Sequence, residues 1–216
     1  MKYRVALFDL DGTVLDTLDD LAVAVNYALE QEGFPTHTRE RVCAYVGNGI
    51  GNLIKRAVPS GTSPEITERT LATFRTYYAA HCAVHTKPYD GVLDMLRTLR
   101  ENGIKTALVS NKADFAVQAL AKDYFEGLFD VALGERAEIA RKPAPDMVHH
   151  VLRELGASTK EAVFIGDSDV DVQTAKNASL DGIFVTWGFR DADCLRAAGA
   201  THLVHSTKEL TEALLQ

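Results

Sequence analysis

The sequence predicts an α/β fold: a doubly wound parallel sheet with an inserted all-helical cap. Three observations carry this. The apolar run Val5-Ala6-Leu7-Phe8 reads as a fully buried strand, and it ends abruptly in Asp9-Leu10-Asp11-Gly12-Thr13. Residues 16 to 84 show helical periodicity alone. From Pro88 onward, helix-like and strand-like segments alternate, as they do in a parallel sheet covered on both faces. The expected division is a core of residues 1–15 and 86–216 and a cap of residues 16–85, with hinges near Asp16 and Tyr89.

Taken in order, the first strand delivers Asp9 and Asp11 at its carboxyl end, the edge where open α/β sheets bind ligands. Side chains alternate along extended backbone, so both carboxylates can lie on one side with Leu10 on the other. Two carboxylates this close repel, and a divalent cation would relieve them. Gly12 allows a sharp turn and a close approach to a ligand. Leu18, Leu21, Val25 and Ala28-Leu29 then recur at helical spacing behind Asp16, Asp19 and Asp20, acids suited to a helix start. Gly33 and Pro35 end that helix. A second helix is expected from about Arg39 to Val46. The turn Gly47-Asn48-Gly49-Ile50-Gly51 leads into a third helix through Ala57. After the Pro59 to Pro64 loop, a long helix runs from Glu65 to about Ala83.

In the second half, a helix from Val92 to Asn102 precedes a strand from Lys105 to Val109. The order continues with a helix from Ala113 to Lys122, a strand from Phe129 to Leu133 and a helix from Pro145 to Leu155. A strand from Ala162 to Ile165, a helix from Asp169 to Asn177 and a strand from Gly182 to Thr186 follow. A helix near Asp191 to Ala198, a short strand from His202 to Val204 and a helix from Thr207 to Leu215 complete the chain.

The 216 residues suit one large domain or two small ones. Lys and Arg number 23 against 30 Asp and Glu, a net charge of −7, which disfavours nucleic acid and anionic membranes as partners. An anionic substrate must therefore be held by local cations or metal against the global field. No apolar run approaches the roughly 20 residues of a membrane span, and none resembles a signal peptide. Cys43, Cys82 and Cys194 are odd in number and scattered, which suits free thiols in a reducing cytoplasm.

Parallel strands bring their carboxyl ends to one edge. There the sequence offers Asp9, Asp11 and Thr13; Ser110-Asn111-Lys112; a loop with Arg136, Arg141 and Lys142; and Gly166-Asp167-Ser168-Asp169-Val170-Asp171. Carboxylates, a hydroxyl and amide pair, and cations at four successive strand ends form a pattern that solvated loops do not need.

This set resembles the haloacid dehalogenase superfamily, and more narrowly its phosphoglycolate phosphatase branch with a helical cap. The resemblance covers nearly the whole chain. It implies Asp9 as a nucleophile that forms an aspartyl-phosphate. Asp11 would protonate the leaving oxygen and then take a proton from water. Mg²⁺ would be held by the Asp9 carboxylate, the Asp11 backbone carbonyl and Asp167. Ser110, Asn111 and Lys142 would bind phosphoryl oxygens, and Lys142 would also keep Asp9 ionised. Thr13 and the amides of Leu10 to Gly12 would position the nucleophile. Asp171 would orient Lys142 or a metal-bound water. In the cap, Gly47-Asn48-Gly49 is similar to a loop that closes over substrate. Because Asp11 is present, an alcohol can leave as in phosphatases; dehalogenases lack this acid.

The expected partner is a small phosphorylated metabolite, 2-phosphoglycolate first, met by a monomer or homodimer. Inorganic pyrophosphate or sugar phosphates are the alternative substrates, and a non-catalytic phosphate-binding protein is the alternative of another class. Lys112 and Arg136 are positioned to meet a substrate carboxylate. His81 and His85 share helical spacing but lack an accompanying carboxylate motif, so they carry no metal assignment.

Overall fold

The computed structural model describes residues 2–47 and 49–216. It divides into two compact units: Met1–Leu15 with Pro88–Gln216, and Asp16–Lys87. The chain passes between them at Leu15–Asp16 (β2) and Lys87–Pro88 (β3), two-residue strands that pair with each other. Segments this short carry no periodicity, and the sequence does not announce them.

The larger unit is built on β1 (Val5–Phe8), β4 (Lys105–Ala113), β5 (Val131–Glu135), β6 (Ala162–Gly166), β7 (Asp181–Val185) and β8 (Leu203–Val204), in the order β5-β4-β1-β6-β7-β8. The paired strands are parallel. The chain builds outward from β1 to one side, then returns to β6 on the other. β1 therefore lies at a topological switch point, where such sheets bind ligands. Alternation along β1 supplies both cores. Ala6 and Phe8 join Leu108, Val163 and Ile165 on one face, under α5 (Val92–Glu101), α6 (Asp114–Phe125) and α10 (Thr207–Leu215). Val5 and Leu7 join Val109 and Phe164 on the other, under α7 (Asp146–Leu155), α8 (Asp169–Asn177) and α9 (Ala192–Ala198). With both faces covered, the strands read as unbroken apolar runs.

Two strands differ from expectation by more than one residue at an end. β4 continues through Ser110-Asn111-Lys112 to Ala113. Its register with β5 shifts between Val109 and Ala113, where Ala113 pairs with Glu135. The polarity of these residues disguises an irregular strand end as a loop. β5 begins at Val131 instead of Phe129. Phe129 packs its ring against Phe8 and Phe125, and Asp130 accepts the Thr106 N–H at 2.9 Å.

The smaller unit is helical: α1 (Leu18–Gln31), α2 (Arg39–Tyr45), α3 (Ile50–Ala57) and α4 (Pro64–His81). Thr38 and Ser63 cap α2 and α4 through Arg41 N and Ile66 N. α1 packs against the other three helices. Leu21, Val25 and Leu29 of α1, Leu53 and Ile54 of α3, and Leu71 and Phe74 of α4 are buried.

Asp20 is buried rather than solvated at the helix start. It accepts His85 N at 2.9 Å, His85 Nδ1 at 2.9 Å, Thr86 N at 2.9 Å and Thr86 Oγ1 at 2.8 Å. His85 lies beyond the end of α4, so His81 and His85 do not share a helix face. Burial pushes the Asp20 carboxyl up, but the bonds from Thr86 and His85 outweigh it and hold the group below its ordinary value. Asp20→Ala should lower unfolding free energy by about 3 kcal/mol, because charge-assisted bonds are lost and buried donors are left unpaired. The contribution of a depressed carboxyl is present above about pH 4 and is lost as pH falls through its folded value. Acid melts of wild type and variant should therefore converge as pH falls below 4, and parallel curves would contradict this.

Candidate active site

The parallel register sets β1, β4 and β6 level, with Phe8 beside Leu108 and Ile165. Ser110 and Asp167, each two residues further on, therefore reach the same edge as Leu10. Asp9 N–H makes a ladder bond to the Ile165 carbonyl at 2.9 Å. Beyond it the chain folds back on itself: Thr13, Val14 and Leu15 N–H groups donate to the Leu10 carbonyl at 3.3, 3.1 and 3.0 Å. Gly12 sits at φ +86°, and a Cβ there would run into the Asp167 carboxylate. Glycine is required twice over, by conformation and by space.

β6 ends in Gly166, where a Cβ would run into the Asp171 side chain. Asp167 follows, fully buried, and Thr13 Oγ1 donates to its Oδ1 at 2.8 Å. α8 opens with Ser168 and Asp171 as a capping box. Asp171 Oδ2 accepts Ser168 Oγ at 2.6 Å and Ser168 N at 3.1 Å, while Oδ1 accepts Lys142 Nζ at 2.8 Å. Lys142 comes from the β5–α7 connection, and its carbonyl accepts Asn111 Nδ2 at 2.8 Å. Its ammonium also lies 2.8 Å from Asp9 Oδ1 and 5.4 Å from the Phe164 ring centroid. The strand tips thus bring together Asp9, Lys142, Asp167 and Asp171, side chains from three distant stretches of the sequence.

Carboxylate oxygens of Asp9, Asp167 and Asp171 lie within 4.8 Å of one another. With Lys142 among them, the fully ionised cluster carries a formal charge of −2. Burial pushes the Asp9 carboxyl up to about 7; Lys142 opposes this, and Asp171 and Asp11 add to the rise. Asp167 is raised well above the ordinary carboxyl value by burial, then by the Asp171 and Asp9 charges. Burial alone would lower Lys142, but Asp171 and Asp9 raise it, so its ammonium is retained. Buried oxygen donors with excess negative charge are what a hard divalent cation requires. Asp171 Oδ1 takes the Lys142 ammonium and its Oδ2 takes Ser168 Oγ and the Asp167 and Ser168 N–H groups, whereas each Asp167 oxygen accepts a single neutral donor, Thr13 Oγ1 or Phe189 N–H, so Asp9 and Asp167 are the less encumbered donors. Asp9 is also the accessible member: 14% of its side chain is exposed, while Asp167 and Asp171 show none.

These shifts give a pH dependence of known sign. A carboxyl whose folded pKa is raised binds protons more tightly when folded, so stability falls as pH rises through the interval. In chelator, stability should decline from about pH 4 toward the Asp9 value of about 7. A saturating divalent cation should flatten that decline, because it replaces the protons. Melting curves at several pH values in chelator and in metal test this, and identical slopes would contradict it.

Lys112 Nζ lies 2.9 Å from Asp11 Oδ1, with only 7% of the lysine side chain exposed. Ser110 is buried, and its Oγ accepts Lys112 N–H at 3.3 Å. Arg136 is not drawn into the cluster; it pairs with Asp114 at 3.0 Å. In the helical unit, Asp16 and Asp19 pair with Arg39 at 3.3 and 2.6 Å. Gly47 and Gly49 adopt φ of +120° and +85°, and Asn48 lies outside the described residues.

The sequence reading missed a contribution from the end of β7. Phe189 N–H donates to Asp167 Oδ2 at 2.7 Å, and Trp187 Nε1 donates to the Thr13 carbonyl at 3.1 Å. The available signal was positional: β7 is another parallel strand, so the residues after it reach the same edge.

The family model for haloacid dehalogenase-like hydrolases matches residues 6–185, a span from β1 to the end of β7. The chain belongs to the haloacid dehalogenase-like hydrolases. It is similar to a phosphoglycolate phosphatase of Neisseria meningitidis, 33% identical over 98% of this chain and 93% of the relative. A phosphoglycolate phosphatase of Colwellia psychrerythraea is 30% identical over 98% of this chain and 96% of its own. Among solved structures, a chain provisionally described as a phosphoglycolate phosphatase, from Lactobacillus delbrueckii subsp. bulgaricus, superimposes with a TM-score of 0.95. It is 41% identical and covers 100% of this chain and 99% of its own. The resemblance read from the strand-end motifs and the α/β fold class are thereby borne out, and the chain is an enzyme of the haloacid dehalogenase phosphatase type. Among the described residues no helix is long and apolar enough to cross a membrane.

Proposed function

We propose that this haloacid dehalogenase phosphatase hydrolyses a small phosphomonoester through a phosphoryl group carried on Asp9, with Mg²⁺ as its metal and 2-phosphoglycolate as its substrate. The observation that supports it best is the convergence of Asp9, Lys142, Asp167 and Asp171, with Asp11 two residues beyond the nucleophile. Held by the Asp9 and Asp167 carboxylates and the Asp11 backbone carbonyl, the cation would neutralise charge on nucleophile and phosphate.

An Asp9 oxygen attacks phosphorus as the bond to the substrate oxygen breaks, and the Asp11 carboxyl gives that oxygen its proton. Water then attacks phosphorus, its proton passes to Asp11, and the bond to Asp9 breaks to release phosphate. Lys142, fixed by Asp171, opposes the rise that burial gives the Asp9 carboxyl, and it would meet the phosphoryl oxygens together with Ser110 and Asn111. Leu10 N–H donates to Asp9 Oδ1 at 2.7 Å and Gly12 N–H to the Leu15 carbonyl at 2.8 Å, so these two amides fix the nucleophile and its turn instead of the phosphate. Thr13 keeps Asp167 in place. The reaction is therefore mostly positioning and charge stabilisation. Lys112 pairs with one Asp11 oxygen, and a substrate carboxylate that drew this ammonium away would favour the protonated acid that the first step needs. This favours phosphoglycolate over esters without a second charge. The helical unit Asp16–Lys87 is the cap domain in this reading, and the free cysteines suit the cytoplasm.

Purified protein should be offered 2-phosphoglycolate, pyrophosphate, sugar phosphates and p-nitrophenyl phosphate, with Mg²⁺ and with chelator. The expected result is Mg²⁺-dependent phosphate release with the highest kcat/KM for 2-phosphoglycolate. A preference for pyrophosphate would reassign the substrate. No release from any ester in any divalent metal would overturn the catalytic reading in favour of a phosphate-binding protein.

A further inference from the structure

The loop after β7 touches Asp167 and the Gly12-Thr13 turn beside it. Phe189 N–H donates to Asp167 Oδ2, and Trp187 Nε1–H donates to the carbonyl of Thr13, whose hydroxyl donates to Asp167 Oδ1. Between them, Gly188 passes so close that a Cβ would run into the Gly12 carbonyl and the Asp167 side chain. The half-buried Trp187 ring packs on the core face that holds Leu10, Val14 and Val185. Each Asp167 oxygen is therefore held, one directly by the loop and one through a residue the loop holds.

We propose that Trp187-Gly188-Phe189 is a positioning clasp that fixes Asp167 for the metal; this rests on the reading of Asp167 as a metal ligand. Carboxylate oxygens of Asp9 and Asp171 lie within 4.8 Å of one on Asp167, and whenever these groups are ionised repulsion favours turning the Asp167 carboxylate away. The clasp opposes that rotation, so the donor is already aimed when the cation arrives. Outer partners of this kind typically set metal affinity by about 10- to 100-fold. Trp187, Gly188 and Phe189 are positioning residues: they act on the metal through Asp167.

Trp187→Phe keeps a ring in the core and removes the indole donor. Gly188→Ala adds the Cβ that meets Asp167. Mg²⁺ affinity is measured by titration calorimetry at neutral pH, and melting temperature in chelator is measured alongside. Trp187 is the single tryptophan, so a saturable Mg²⁺-dependent change in its emission should also appear in wild type and in Gly188→Ala. The expected result is Mg²⁺ binding weakened by about tenfold in Trp187→Phe and by more in Gly188→Ala. The chelator melting temperature of Trp187→Phe should move little, and excess Mg²⁺ should restore its kcat. If Gly188→Ala does not fold, Trp187→Phe decides alone. Affinity in folded Trp187→Phe indistinguishable from a wild type that does bind Mg²⁺ would overturn the clasp and leave the proposed function standing. A wild type that binds no divalent cation would overturn both.

Discussion

Asp9→Asn protein is expected to fold, to melt in chelator no lower than wild type, and to turn over at least about 10³-fold more slowly, since loss of a nucleophile removes a chemical step and not a contact. The amide is nearly isosteric with the carboxylate. It removes one of three charges crowded within 4.8 Å, and Lys142 keeps Asp171 as its partner at 2.8 Å. The ammonium is therefore not left alone, which separates this variant from one that fails by misfolding. Steady-state kinetics on freshly prepared, mass-checked protein give the answer. Turnover within tenfold of wild type would remove Asp9 from the nucleophile's role.

Lys142→Met should fail in the opposite manner, through stability as well as turnover. The lysine side chain is 2% exposed and bridges Asp9 and Asp171. Removing it strands like charges in a buried site, and breaking a buried ion pair typically costs about 3–5 kcal/mol. The remaining carboxylates relieve themselves by taking up protons, so the deficit should shrink as pH falls from 7 toward 5. Mg²⁺ should also recover part of it, and should raise the melting temperature of the variant more than that of wild type. Denaturant melts with and without Mg²⁺ test this. A variant as stable as wild type in chelator would mean that the carboxylates do not depend on this ammonium.

How much the sequence revealed depended on the range of the interaction concerned. Val5 to Phe8 were legible because a strand buried on both faces needs no partner to be recognised; the run itself is the signal. Gly12 and Gly166 were legible as glycines beside acids, though which carboxylates fill their missing Cβ positions needed coordinates. Ser110 to Lys112 misled because polar residues at an irregular strand end have the composition of a loop. Asp20 looked like a helix-start charge because its partners lie 65 and 66 residues away. Arg136 was placed near the site by loop position alone, whereas Asp114, at the start of the neighbouring helix, captures it. Trp187 and Phe189 contact Thr13 and Asp167 largely through backbone groups, which leave no pattern in side-chain types.

The most direct test of the central claim is to trap the phosphoryl group on the protein. Asp11→Asn should still accept it from p-nitrophenyl phosphate, whose leaving group needs little protonation, but should be slow to activate the water that removes it. Intact mass after rapid quenching, followed by peptide mapping, should find one added phosphoryl group on the peptide carrying Asp9. A variant that hydrolyses the ester yet never carries that mass, or carries it elsewhere, would contradict the account.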